Sequence, residues 1–179
     1  MLRRAGMNTW IVLLRAVNVG GTGKLPMAEL RAMCEAIGFE DVRTYIASGN
    51  VVLRSAQGGA HDEKQVKALL EKELARHAGK PVGVLVRTPA EMAAVLAGNP
   101  FPKAAPNRNV VVFLDVAPPL DTLAGVSHRN EEEIVLGKRE IYIHYGEGMA
   151  DSRLRIPAAK SGTARNMNTV ARLVEMALQ

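Results

Sequence analysis

Apolar and polar positions alternate along the chain in short runs that change period, and those changes mark the elements. Trp10-Ile11-Val12-Leu13-Leu14 is an uninterrupted β-rich run, followed by the glycine-rich stretch Asn18-Val19-Gly20-Gly21-Thr22-Gly23. Pro26 suits a first helical position, and Met27, Leu30, Met33 and Ile37 recur at helical spacing until Gly38 stops the helix. Val42 to Ala47 and Val51 to Arg54 read as two strands joined through Ser48-Gly49-Asn50, where Gly and Asn tolerate the positive φ of a tight turn. Asp62 to His77 is a charged helix with Val66, Leu69, Leu70 and Leu74 on its apolar face, and Val82 to Arg87 is the next strand. The first half therefore predicts β-α-β-β-α-β, the order of a ferredoxin-like module.

The second half is similar in kind. Pro89 to Leu96 reads as a helix ended by Gly98, and Asn109 to Asp115 as a strand after a proline-rich stretch. Pro118 to Ala124 is expected to form a short helix. Ile134 to Leu136 and Ile141 to His144 flank Gly137-Lys138-Arg139 as a hairpin. Val170, Leu173, Val174, Ala177 and Leu178 form the apolar stripe of a C-terminal helix. This α-β-α-β-β-α order echoes the first half shifted by one element. The expectation is an α+β chain of two ferredoxin-like-related modules, residues 7–88 and 89–179, packed into one compact unit without a long linker.

Composition narrows the class. The chain has 179 residues, 47% of them hydrophobic and 23% charged, which excludes wholesale disorder and allows a sizeable core. Cys34 is the single cysteine, so no internal disulfide or cysteine-based metal cluster can form. Apolar runs such as Val110 to Leu114 are far shorter than the roughly 18–20 residues a bilayer requires. The start has two arginines, Arg3 and Arg4, but no apolar core behind them, and Met7 is an alternative start. These features point to a cytoplasmic protein without a membrane partner.

The net charge of +5 is unevenly spread. Residues 1–90 hold 13 Lys/Arg against 8 Asp/Glu, residues 91–151 hold 5 against 9, and residues 152–179 hold 5 against 1. If the two basic ends meet in the fold, they form a patch suited to anions.

Two polar segments lie in those basic parts. In the first, a strand, a glycine-rich turn and a helix present backbone N–H groups to phosphate, with Arg15 ending the strand and Lys24 at the mouth. A nucleotide-binding phosphate loop would need a glycine where Asn18 stands and a hydroxyl where Leu25 stands, so an NTPase loop is not indicated. The second segment runs from Lys160 to Thr169. One of Thr163, Asn166 or Asn168 can cap the last helix, but a single cap leaves Lys160, Ser161 and Arg165 unexplained. The histidines, His61, His77, His128 and His144, show no metal spacing, no serine has an evident activating base, and Cys34 reads as a small buried residue. Glu131-Glu132-Glu133 is most simply a solvated strand start, although three acids could hold a cation. With seven aromatics and no stacking signature, an open base-stacking sheet is not expected, whereas binding to a phosphate backbone needs only charge.

Three separated motifs carry a resemblance. The stretch from Trp10 to Gly21, the stretch from Leu25 to Leu30 with Val42 to Val51, and the closing Gly162 to Val170 are similar to the bacterial domain-of-unknown-function family 1697. Ala16 stands where that family's pattern suggests glycine, and Met167 where it suggests tryptophan. The resemblance implies a whole-chain α+β fold of ferredoxin-like type and no particular activity. From the residues themselves, the leading expectation is binding of a phosphate-bearing ligand, a nucleotide or a nucleic-acid backbone. The expected site comprises Arg15, Asn18, Gly20, Gly21 and Lys24, with Ser48 and Asn50 from the hairpin turn and Lys160, Thr163, Arg165, Asn166 and Asn168 from the C-terminal stretch. Alternatives are an enzyme on a small anionic substrate, or an interaction module or homodimer without a ligand. No catalytic residue, metal ligand or cofactor is indicated.

Overall fold

The computed structural model describes residues 8–15, 25–46, 49–56, 60 and 62–179. Contacts divide the chain into two units: one extends to Met92 and takes in Leu173–Gln179, the other is Ala93–Arg172. Each is an antiparallel four-stranded sheet with helices, so the fold is mixed α+β, as expected.

The first unit contains β1 (Asn8–Leu14), α1 (Met27–Ala36), β2 (Phe39–Tyr45), β3 (Asn50–Ser55), α2 (Glu63–Ala78) and β4 (Val84–Arg87), the β-α-β-β-α-β order read from the sequence. α3 (Pro89–Ala97) begins in this unit and ends in the other. The sheet order is β2-β3-β1-β4, compatible with a ferredoxin-like module. β1 reads as a continuous apolar run because both of its faces are buried. Trp10, Val12 and Leu14 pack with Leu30, Met33 and Cys34 of α1 and Val66, Leu70 and Leu74 of α2. Ile11 and Leu13 point to the opposite face and are equally inaccessible.

The helices are held to the sheet by polar contacts as well. Asp62 caps α2 by accepting from the Gln65 N–H at 2.8 Å, and Gly79 ends it in the left-handed conformation at φ 71°. Lys67 donates to both Glu71 and the Val84 carbonyl, while Glu71 accepts from the Val84 N–H at 3.1 Å, which fastens α2 to β4. Cys34 is buried, and that burial raises its thiol pKa to about 12, as suits a small core residue.

The second unit contains β5 (Asn109–Phe113), β6 (Glu133–Leu136), β7 (Glu140–His144) and β8 (Thr163–Asn166), in sheet order β6-β7-β5-β8. Numbered along the chain, its first strand lies between its third and fourth and its second is at an edge, as in the other sheet. The echo between the halves is therefore one of strand order. The connections differ: where the first unit has α1 and α2, the second has 3-10 turns at Leu123–Gly125, Gly146–Asp151 and Pro157–Ser161. The core on one face holds Val112, Leu114, Ile141 and Ile143. On the other, the Tyr142 hydroxyl donates to the Val95 carbonyl at 3.0 Å, and burial raises its pKa to about 12.

Three sequence expectations change. The helix expected from Pro118 to Ala124 is reduced to the turn Leu123–Gly125; Pro118 and Pro119 lack N–H groups, and the Pro119 carbonyl is taken by the Thr122 N–H and hydroxyl in a local turn. The apolar stripe of α4 (Met167–Ala177) stops at Ala177, and Leu178 is 75% exposed. Thr163–Asn166, given no element from the sequence pattern, is strand β8. Its polar composition carries no strand signal; pairing of Phe113 with Thr163 through Val110 with Asn166 makes it one.

That pairing explains Gly162. A Cβ there would lie 2.4 Å from the Phe113 carbonyl oxygen and 2.8 Å from side-chain atoms of Val112 and Leu114, so only glycine admits this approach of chain to β5. Gly162→Ala should therefore destabilise the protein by about 1–3 kcal/mol or more, measured by urea denaturation. Gly79→Ala, where a Cβ meets nothing within 4 Å and only the left-handed φ opposes it, should cost less.

Candidate functional site

The expected site residues that are described fall in both units. Arg15 and Asn50 belong to the first; Lys160, Thr163, Arg165, Asn166 and Asn168 belong to the second. Asn18, Gly20, Gly21, Lys24 and Ser48 lie outside the described residues.

In the first unit the structure brings two of the expected segments to one end of the sheet. The Leu14 N–H donates to the Gly49 carbonyl and the Arg15 N–H to the Gly83 carbonyl, both at 2.9 Å. The end of β1 is thus flanked by the β2–β3 turn on one side and the approach to β4 on the other. The Arg15 side chain lies across Gly83, where an added Cβ would come within 2.9 Å of its Cδ. In the turn, Gly49 supplies a φ of 79° and Ile46 one of 49°. Asn50 begins β3 fully buried, and its side-chain amide donates to the Tyr45 carbonyl at 3.0 Å. That bond fastens the ends of the hairpin, so Asn50 shapes the turn from beneath.

α1 starts and α2 ends beside this end of the sheet. Their proximity is marked by His77 and Glu29, 3.5 Å apart. Between the two helices a groove of about 320 Å³ has Ala32, Met33, Ala36 and Ile37 as its floor. Its Arg76 is matched by Glu73 at 3.4 Å, and His77 lies beside Glu29. It therefore offers no surplus positive charge to an anion. No sequence signal marks this groove, because the alanines that open it are ordinary helix formers.

In the second unit Thr163, Arg165 and Asn166 have internal partners. Arg165 on β8 is buried, donating from Nη1 to the Thr163 hydroxyl at 2.7 Å and to the Ala164 carbonyl at 2.8 Å. Burial lowers its guanidinium pKa to about 10, still charged at neutral pH. Asn166 is the cap of α4, its Oδ1 accepting from the Thr169 N–H at 3.0 Å. Lys160, on the 3-10 turn Pro157–Ser161, and Asn168, on the first turn of α4, are exposed.

The acidic triplet is asymmetric. Glu132 is buried and accepts from the Ser152 hydroxyl and the Asn130 N–H, both at 2.6 Å, and these bonds hold its carboxyl below the usual carboxylate range. Glu131 and Glu133 are exposed. His128 stands 3.1 Å from the Ser127 hydroxyl, His144 stacks at 5.6 Å on Phe101, and His61 lies outside the described residues. Among the described residues no three His, Cys, Asp or Glu side chains converge as metal ligands, and no described helix is long and apolar enough to cross a membrane. Because Asn166 satisfies a helix N-terminal N–H, Asn166→Ala should lower stability by about 1 kcal/mol in chemical denaturation, and Asn166→Asp should retain most of it.

The fold has a known counterpart. A solved structure described as that of conserved bacterial protein SP0830 from Streptococcus pneumoniae superposes with a TM-score of 0.77 at 24% identity, covering 96% of this chain and 99% of that one. No curated protein matches the chain significantly. The motifs from Trp10 to Val51 lie within the matched family range, whereas Gly162 to Val170 lies beyond it. With residues 7–142 matched, the chain belongs to the family of proteins of unknown function DUF1697.

Proposed function

We propose that the protein binds a phosphate-bearing ligand, a nucleotide or a stretch of nucleic-acid backbone, at the end of the first sheet where β1 terminates. The observation that carries this reading is the convergence of Arg15, the Gly49 turn and the approach to β4 at that one end. A guanidinium there offers planar paired donors to phosphate oxygens, and the chain continues directly into Asn18, Gly20, Gly21 and Lys24. Ser48 adjoins the turn in sequence. Of the C-terminal residues, Lys160 and Asn168 are exposed, and Thr163, Arg165 and Asn166 bond within their own segment.

Thermal unfolding with a panel of mono- and dinucleotides, together with titration of single-stranded nucleic acid at several salt concentrations, tests the proposal. A compact site gives a rise in Tm with a particular nucleotide, and backbone binding gives affinity that falls steeply with salt. Arg15→Ala and Lys24→Ala should each weaken either mode by roughly tenfold or more. Unchanged affinity in both variants, or no binding to any probe, overturns it.

A second reading, an interaction module or homodimer, is favoured by one feature. In the connection between β5 and β6, Val116 is 71% exposed, Leu120 is fully exposed and Leu123 is 49% exposed. If this segment is a self-association surface, sedimentation will show a dimer that Leu120→Asp dissociates.

A further inference from the structure

The second sheet has an open edge at β6. The Gly137 N–H donates to the Glu140 carbonyl at 2.8 Å and closes the β6–β7 hairpin. Val135 lies opposite Tyr142 and Glu133 opposite His144, so the alternation of an antiparallel ladder turns the backbone groups of Glu133, Val135 and Gly137 toward β7. The N–H and carbonyl groups of Ile134 and Leu136 therefore point away from it. β6 ends the strand order β6-β7-β5-β8, and no described strand takes that row. The next outward carbonyl, that of Glu132, is taken by Arg129 Nε at 2.7 Å, which confines the open row to Ile134 and Leu136. A bulge or a proline commonly blunts such an edge. β6 pairs with β7 without a register shift and contains no proline.

Charge is arranged around this row. Glu131, Glu132 and Glu133 precede it, and Lys138 follows it. Glu133 and Lys138 are exposed, and Val135, on the same face as Glu133, is 40% exposed. A second copy of the strand laid antiparallel alongside brings each acidic start to the other's basic end. A parallel copy would set acid beside acid. One register engages every open backbone group: Ile134 opposite the partner's Leu136, Leu136 opposite the partner's Ile134, and Val135 against the partner's Val135 on the two-fold axis. Glu133 then lies opposite the partner's Gly137, which has no side chain to block its reach to the partner's Lys138.

We infer that β6 is a docking edge for a second copy of this chain, joining two four-stranded sheets into one continuous sheet. The N–H and carbonyl groups of Ile134 and Leu136 in each copy supply the hydrogen bonds. The pairs of Glu133 with the partner's Lys138 set direction and register. This surface gives the homodimer reading a place other than the Leu120 segment, and it is independent of the ligand site at Arg15. So short an edge buries little area, which makes the dimer weak and dependent on concentration.

Sedimentation of the whole chain over a range of concentrations tests the inference, with thermal unfolding of each variant to show that it is folded. The wild type should move from monomer toward dimer as concentration rises. Val135→Lys, which sets like charges together on the two-fold axis, should raise the dimer Kd by roughly tenfold or more. Glu133→Lys and Lys138→Glu should each weaken association, because each places like charges across the edge. An equimolar mixture of those two variants should associate as well as the wild type, since opposite charges then face each other at both ends. Leu120→Asp should leave association unchanged. The inference is overturned by a monomer at every concentration up to about 1 mM, by a wild-type Kd in Val135→Lys, or by no rescue in the mixture. A dimer that Leu120→Asp dissociates and Val135→Lys does not also overturns it and places association at the Leu120 segment.

Discussion

The first unit depends on β1 being paired on both edges and buried on both faces. Its ladder with β3 runs from Asn8–Ser55 to Leu13–Asn50, and its ladder with β4 from Ile11–Arg87 to Leu14–Val84. A strand so enclosed can satisfy its backbone groups only through these neighbours. The register of the whole sheet follows from it, because a slip of one residue would exchange Trp10, Val12 and Leu14 for Ile11 and Leu13 on the helix-facing side. The same pairing places Leu14 and Arg15 against Gly49 and Gly83 at the end of the sheet, where the candidate ligand site is proposed.

Polar residues that look alike in sequence divide into two roles. Asn50, Asn166, Thr163 and Arg165 bond to nearby backbone or to each other, and each bond meets a need of the local fold: a hairpin closure, a helix cap, a buried guanidinium. Arg15 and Lys160, in the same basic segments, differ from these in exposure: Arg15 is half-buried and Lys160 exposed. A density of hydrogen-bonding side chains therefore marks demanding backbone geometry as readily as it marks a ligand. Gly162 illustrates this most sharply, since its lack of a side chain is required by the Phe113 carbonyl alone.

The cluster of Arg43 on β2 and Arg54 on β3, each 3.6 Å from the Asp41 carboxylate, arises differently. Neither arginine is close to the other in sequence, and the strand pattern of β2 gives no hint that Asp41 would turn between them. A bulge in β2 creates that meeting, and the docking of Leu173–Gln179 within the first unit adds Gln179 beside both arginines. Charge placed on a sheet face in this way is a tertiary product. A composition count registers it only as two more surface arginines.

The β-α-β-β-α-β order, the caps at Asp62 and Gly79, the central apolar strand and the burial of Cys34 follow from local periodicity and turn chemistry, which depend on near neighbours in the chain. The second half is less legible because its connections are 3-10 turns without a helical period, and because β8 is a strand only through the partner that pairs with it. Which asparagine caps α4, which arginine is buried, and which segments share an end of the sheet were decided by pairing between residues far apart in the chain. Local propensity carries no information about such pairings; long-range packing and the close approach at Gly162 do.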